Sequence, residues 1–265
     1  MADPQRRTIR LIREGFPDPP ELDTAVSHAL LRRTSEGRGP ETLRLHRPGP
    51  VVAFGPLDRL APGFPQAIEE AGAHGFGSVQ RLAGGRAAVF HPGTIAFAWV
   101  IPDRSPRIGI TARFEALAAI MAGAFSDLGV DARIGEVPGE YCPGAYSVNA
   151  RGRTKLMGVG QRVLSGAAHV GGVVVVEGSD RIGEVLGPVN AALGLEWDPA
   201  TVGSLKGEVP GITWDDAARA ILGRFAERFD VVETSMDREV LDVARTLAPL
   251  HVARPPDRAD QPVDR

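Results

Sequence analysis

Between residues 8 and 176 short apolar runs are broken repeatedly by glycine and proline, and beyond residue 181 the apolar residues fall at helical spacing. This order of periods constrains the fold more than any other feature. Strands with helices between and after them, without regular strand–helix alternation, point to an α+β domain with a mixed or antiparallel sheet and flanking helices. Thr8–Arg13 alternates apolar and charged residues as a strand does. Glu21–Arg33 carries Leu22, Val26, Leu30 and Leu31 on one helical face. Strands are predicted at Thr42–His46 and Val51–Phe54, either side of Pro48-Gly49-Pro50, and a short helix at Pro65–Ala73. Ser78–Leu82, Ala87–Phe90 and Thr94–Ile101 read as further strands, and Ile110–Leu128 as the longest helix. Tyr146–Val148, Thr154–Val163 and Gly171–Val176 form an antiparallel run, turned first at Ala150-Arg-Gly152. Val173–Val176, apolar and β-branched, belongs in a buried central strand. Helices are expected at Arg181–Leu193, Trp214–Phe229 and Arg238–Leu247.

One domain over 8–250 is expected, with disordered polar tails at 1–7 and 252–265. A hydrophobic fraction of 43% beside 24% charged residues is that of a globular chain with a real core. A net charge of -3 speaks against a nucleic-acid partner. The segment MADPQRRTIRLIREGF has no signal-peptide core, and no window reaches the roughly 18 apolar residues of a membrane span. A cytoplasmic protein without a membrane partner is the expectation.

The rare residues carry the chemical signal. Of 30 basic residues only Lys155 and Lys206 are lysine, and the single cysteine, Cys142, lies 13 positions before the first. Lysine is a compact charge whose amine can give up its proton when buried, which arginine does not do. A thiol becomes a nucleophile beside a cation or base, so Cys142 and Lys155 form a candidate pair. The alternative is two unrelated residues in one loop, with Cys142 an inert apolar group. Gly158 and Gly160, after Lys155, leave room for a ligand against the backbone. A second candidate is Arg81-Leu-Ala-Gly84-Gly85-Arg86, whose glycines let backbone N–H groups approach an anion between two arginines. The same residues would also make a tight hairpin turn. His169 reads as a hairpin residue with a satisfied ring, and His91 as a partner of a backbone carbonyl beside Pro92. One cysteine excludes a multi-thiolate metal site, and no metal-ligand spacing is present.

Taken in order, these segments resemble the lipoate/biotin protein ligase superfamily, in its lipoate ligase and octanoyltransferase branch. Arg81-Leu-Ala-Gly84-Gly85-Arg86-Ala-Ala-Val89-Phe90-His91 is similar to the family's Arg-Arg-x-x-Gly-Gly-Gly-x-Val-x-His, with Arg86 at the third glycine. Pro92-Gly93-Thr94 stands where the family has Asp-x-Gly-Asn. Gly152-Arg-Thr-Lys155-Leu-Met-Gly158-Val-Gly160-Gln161 resembles Gly-x-Lys-x-x-Gly-x-Ala-Gln with one extra residue before the lysine. Val202-Gly-Ser204-Leu205 is similar to a later Thr-Ser-Leu turn, so the resemblance spans roughly 8–248.

The resemblance implies a sheet that cradles an acyl chain, with Arg81, Gly84, Gly85, Arg86, His91, Gly158, Gly160 and Gln161 binding substrate. Cys142-Pro-Gly-Ala-Tyr146 resembles the cysteine-bearing transferases of the branch. The accessory domain usual in the ligases is not expected within this chain, although a separate subunit could supply it. The expected activity is transfer of an octanoyl or lipoyl group from acyl carrier protein to a lysine of a lipoyl-domain protein. Cys142 would carry the acyl group as a thioester, Lys155 would act as the base, and no cofactor or metal would be needed. The alternatives are an ATP- and Mg-dependent lipoate ligase working through an acyl-adenylate, and a non-catalytic acyl-binding protein on the same fold.

Overall fold

A computed structural model of the chain describes residues 6–255. In chain order its elements are β1 (Arg7–Ile12), α1 (Leu22–Ser35), β2 (Thr42–His46), β3 (Val51–Phe54), α2 (Phe64–Ala73), β4 (Gly77–Gln80), β5 (Ala88–Phe90), β6 (Thr94–Pro102) and α3 (Ile110–Asp127). There follow β7 (Ala132–Ile134), β8 (Val148–Ala150), β9 (Thr154–Leu164), β10 (Ala167–Val175), α4 (Ser179–Ala192), α5 (Leu205–Glu208), α6 (Trp214–Ala226), β11 (Phe229–Glu233) and α7 (Arg238–Leu247). Eight strands form one mixed sheet in the order β11-β1-β2-β6-β10-β9-β8-β7, and β4-β3-β5 make a second, smaller one. The α+β class is as the sequence predicts.

The sheet is buried on both faces at its centre, which the unbroken apolar runs of β6 and β10 require. On one face α3 and α6 set Leu117, Met121, Phe125, Ile221 and Phe225 against Leu43, Phe97 and Trp99. On the other, α1 and α7 bring Val26, Leu30, Val240 and Leu247 against Ile12 and Val100. A separate core joins the small sheet to α2 and α4 through Phe54, Phe64, Val89, Ile182 and Leu186. Cys142 and Tyr141 pack against this third cluster, so the candidate loop is anchored where the two sheets meet. No helix among the described residues is long and apolar enough to cross a membrane.

Several boundaries differ from the sequence reading. Arg7 begins β1, pairing with Phe229, and Val252 bridges Val79 while Ala253 donates to the Ser78 carbonyl. The expected tails are therefore ordered at those positions; residues 1–5 and 256–265 lie outside the described residues. The strand expected at Tyr146–Val148 is instead Val148–Ala150, because 144–147 is held in a turn by the Ser147 N–H on the Gly144 carbonyl. β10 begins at Ala167 rather than Gly171, in register with the whole of β6. The strands β7 and β11, at the two edges of the sheet, carry no alternating apolar pattern and are not legible in the sequence.

Candidate active site

Lys155 enters the site from the second position of β9, across from Asn149 of β8. The register of this pair slips between Val148 and Asn149, a bulge that re-aims side chains beside it. Lys155 is 1% exposed, and three acceptors surround its ammonium. Nζ donates to Glu140 Oε1 at 2.8 Å, to the Tyr141 carbonyl at 3.1 Å and to the Cys142 carbonyl at 2.6 Å. The Tyr141 ring centroid is 5.0 Å from Nζ, and burial pushes the Tyr141 hydroxyl well above the ordinary phenol range. Glu140 is itself buried and accepts from the Val137 N–H at 2.9 Å and the Ser147 hydroxyl at 3.2 Å. A buried charge survives when it is paired and its remaining lone pairs are met, and here both conditions hold. The Val202–Leu205 turn closes this side: Gly203 donates to the Lys155 carbonyl at 3.1 Å.

Cys142 takes a left-handed backbone conformation, φ 51°, which a non-glycine residue adopts at a cost. The turn aims its sulfur at the Gly84–Arg86 loop. The Arg86 N–H approaches Sγ at 3.2 Å and Arg81 Nη1 at 3.6 Å. Arg81 is fixed in turn by donating to the Arg86 carbonyl at 2.7 Å. Gly85 is needed here: at φ 113° a Cβ would lie 2.9 Å from Cys142 Sγ and 2.6 Å from Arg81 Nη1. The Arg86 side chain turns outward to Asp58 Oδ1 at 3.3 Å, and Asp58 Oδ2 accepts from the Gly55 N–H at 2.8 Å. Burial raises the Asp58 carboxyl above its ordinary value despite these partners.

These elements border a cavity of about 290 Å³. Arg81, Gly84, Gly85, Cys142, Lys155, Gly158, Gly160 and Gln161 all line it, so seven expected substrate-binding or catalytic positions besides Cys142 meet at one place. Its floor is the β9–β10 pair, where a Cβ on Gly172 would lie 1.9 Å from the Gly158 carbonyl oxygen. Phe114 stacks on Tyr146 at 5.0 Å at the rim. Gln161 accepts from Arg113 Nε at 2.7 Å and donates to the Ile110 carbonyl at 3.2 Å, which ties the start of α3 to this rim.

Two expected positions fall elsewhere in detail. Arg86 contributes its backbone N–H to the site rather than its guanidinium. His91 lies outside the cavity, in a separate cleft with Glu177 and Lys206, where its Nδ1 accepts the Gly93 N–H at 3.0 Å. It does not donate to a carbonyl beside Pro92 as the sequence reading expects. His169 is a residue of the β9–β10 hairpin, opposite Arg162, but its ring is not satisfied: it is 5% exposed, with Nδ1 unpartnered among the described residues. Glu140 is the residue that the sequence reading misses. A signal for it exists, since it is the one carboxylate between residues 137 and 176.

Residues 19–226 match the family model of the lipoyl protein ligase A/B catalytic domain. An octanoyl-GcvH:protein N-octanoyltransferase of Oceanobacillus iheyensis is 27% identical over 239 residues, 85% of each chain. A protein of the same name from Geobacillus kaustophilus is 30% identical over 155 residues, 58% of this chain and 54% of its own. The chain spans about half the length of the curated relatives it matches first. Among solved structures, a lipoate-protein ligase A bound with ATP superposes with a TM-score of 0.72 at 19% identity, over 91% of this chain and 94% of that one. The bipartite lipoate protein ligase of Thermoplasma acidophilum gives 0.72 at 19% identity over 92% of both. At these identities the two structures support the fold.

Proposed function

Since the chain belongs to the lipoyl protein ligase A/B catalytic domain family, we propose that it is an acyltransferase that moves an octanoyl group onto a lysine of a lipoyl-domain protein through a thioester on Cys142. The observation that carries this reading is the setting of the sulfur. Sγ stands at the cavity with the Arg86 N–H at 3.2 Å and the Arg81 guanidinium at 3.6 Å, both aimed at the atom that must become negative to attack.

In the first half-reaction Sγ attacks the carbonyl carbon of an acyl thioester. The bond from carbon to the donor sulfur breaks, and the proton lost by Cys142 passes to the departing thiolate. In the second half-reaction the acceptor lysine amine attacks the enzyme thioester. The bond from carbon to Sγ breaks, the amide forms, and an amine proton returns to the sulfur. The Arg86 N–H, 3.2 Å from Sγ, and the exposed backbone of Gly84 and Gly85 beside it would offer N–H donors to the oxyanion in both steps. Lys155, joined to Glu140, holds the main chain of the nucleophile and supplies or accepts the proton when it releases the Cys142 carbonyl.

Acyl carrier protein is the donor proposed from the sequence. The names of the relatives favour a second donor on the same Cys142 chemistry, an octanoylated GcvH protein. The ATP-dependent ligase is the alternative reading: an ammonium has three N–H donors, so a phosphate at Lys155 would have to displace the Tyr141 or Cys142 carbonyl.

Incubation without ATP, with octanoyl-carrier protein or octanoyl-GcvH as donor and a lipoyl domain as acceptor, should add one octanoyl mass to the acceptor. Transfer only from free octanoate with release of pyrophosphate would replace this reading with the ligase. Tight octanoate binding with no transfer from any donor would replace it with an acyl-binding protein.

A further inference from the structure

The peptide bond between Gly85 and Arg86 faces the nucleophile. Its N–H lies 3.2 Å from Cys142 Sγ. In a trans peptide the carbonyl points the opposite way. Here it rests on Gly55, where a Cβ would lie 1.6 Å from the Gly85 oxygen. Gly85, at φ 113°, has no side chain to resist rotation of this peptide. Rotation would carry the donor away from the sulfur and bring the carbonyl oxygen toward it, which disfavours a thiolate. Contacts from outside the loop therefore decide which end the sulfur meets.

Asp58 supplies contacts on both sides of this peptide, and its side chain is fully buried. Oδ2 accepts the Gly55 N–H at 2.8 Å, and the Asp58 N–H donates to the Gly55 carbonyl at 3.1 Å. These two bonds fix the backbone on which the Gly85 carbonyl rests. Oδ1 accepts from Arg86 Nη1 at 3.3 Å, which fixes the residue on the N–H side. The same bond holds the Arg86 guanidinium off the sulfur, where Arg81 Nη1 already stands at 3.6 Å. Asp58 does not border the Cys142 cavity, so whatever it does there passes through Gly55 and Arg86.

We infer that Asp58 is a positioning residue for the nucleophile: it keeps the N–H of the Gly85–Arg86 peptide on Cys142 Sγ, where that N–H supports the attacking thiolate. The consequence for catalysis rests on the acyl-transfer reading, to which this adds a residue outside the cavity.

Cys142 is the one cysteine of the chain, so the rate of alkylation by iodoacetamide against pH reports on its thiol alone. In Asp58→Ala the midpoint of that profile should move up by about one pH unit, the effect of one hydrogen bond to an anion. Acylation by the octanoyl donor at pH 7 should slow by up to about tenfold. The direction separates positioning from charge, because loss of a nearby negative charge alone would move the midpoint down. The same rise should separate Asp58→Ala/Arg86→Ala from Arg86→Ala, a pair in which no freed guanidinium can reach the sulfur. That pair decides where the two comparisons differ. Asp58→Asn keeps an acceptor for the Gly55 N–H and should give a smaller rise; it decides if the alanine variants fail to fold. A midpoint unchanged or lowered in the deciding comparison overturns the inference. A raised midpoint in a protein that no donor acylates supports the inference and counts against the proposed function instead.

Discussion

The ammonium of Lys155 rests on the main-chain carbonyl of Cys142, 2.6 Å away, while the sulfur of the same cysteine faces Arg86 and Arg81. The two rare residues therefore meet through the backbone of one and the side chain of the other. Lys155 and Glu140 support the nucleophile from behind, and the Gly84–Arg86 loop receives its reactive face.

Removing one member of the buried pair leaves the other charged and unmet. Lys155→Met should lower stability by about 3–5 kcal/mol in urea unfolding. The double variant Lys155→Met/Glu140→Leu should recover most of that loss, because it removes both charges, yet it should transfer no octanoyl group. Recovery of activity along with stability would show that the pair serves only the fold.

The strained turn at Cys142 gives a second expectation. Cys142→Gly and Cys142→Ala both remove the sulfur, but glycine adopts φ 51° without the clash that alanine meets. The glycine variant should be the more stable of the two by about 1 kcal/mol, read from thermal or urea unfolding. Equal stability would mean that the turn relaxes when the thiol is lost.

Gly85→Ala places a methyl group against Cys142 Sγ and the Arg81 guanidinium. Acylation of Cys142 should slow by about 100-fold, the usual consequence of displacing a reacting group by an ångström. Gly183→Ala, in open space on α4, should acylate at the wild-type rate. A Gly85→Ala protein with wild-type kinetics would separate this loop from the chemistry.

Burial also sets a pH dependence. His28 and His169 are each held down to about 4, so between about pH 4 and 6.5 the unfolded chain binds more protons than the folded one. Stability is therefore fully present above about pH 6.5 and is lost as the pH falls toward 4. His169, fully buried, accounts for up to about 3 kcal/mol, and the half-exposed His28 for less. His169→Phe should flatten the acid limb of a stability–pH curve. A curve flat between pH 7 and 4 in the wild type would contradict the burial of these rings.

The sequence shows this architecture best where burial imposes a period. Thr94–Ile101 and Val173–Val176 lie in central strands with both faces covered, and their unbroken apolar runs mark them. The edge strands Ala132–Ile134 and Phe229–Glu233 are largely exposed apart from the buried Phe229, and show no such pattern. At the site, Cys142, Lys155 and the Gly84–Gly85 loop are visible as rare residues and as motif. Glu140 is hidden because its meeting with Lys155, 15 positions on, depends on a loop that no local period encodes. The unmet Nδ1 of His169 is hidden as well, because it depends on what packs across the β9–β10 hairpin and not on local sequence.

The central claim is that Cys142 carries the acyl group. Intact mass of the wild type after incubation with octanoyl-carrier protein or octanoyl-GcvH, without ATP or acceptor, tests it most directly, with Cys142→Ala beside it. One octanoyl adduct on the wild type and none on the variant is the predicted result. A Cys142→Ala protein that is acylated equally, or that transfers octanoyl at the full rate, would contradict it.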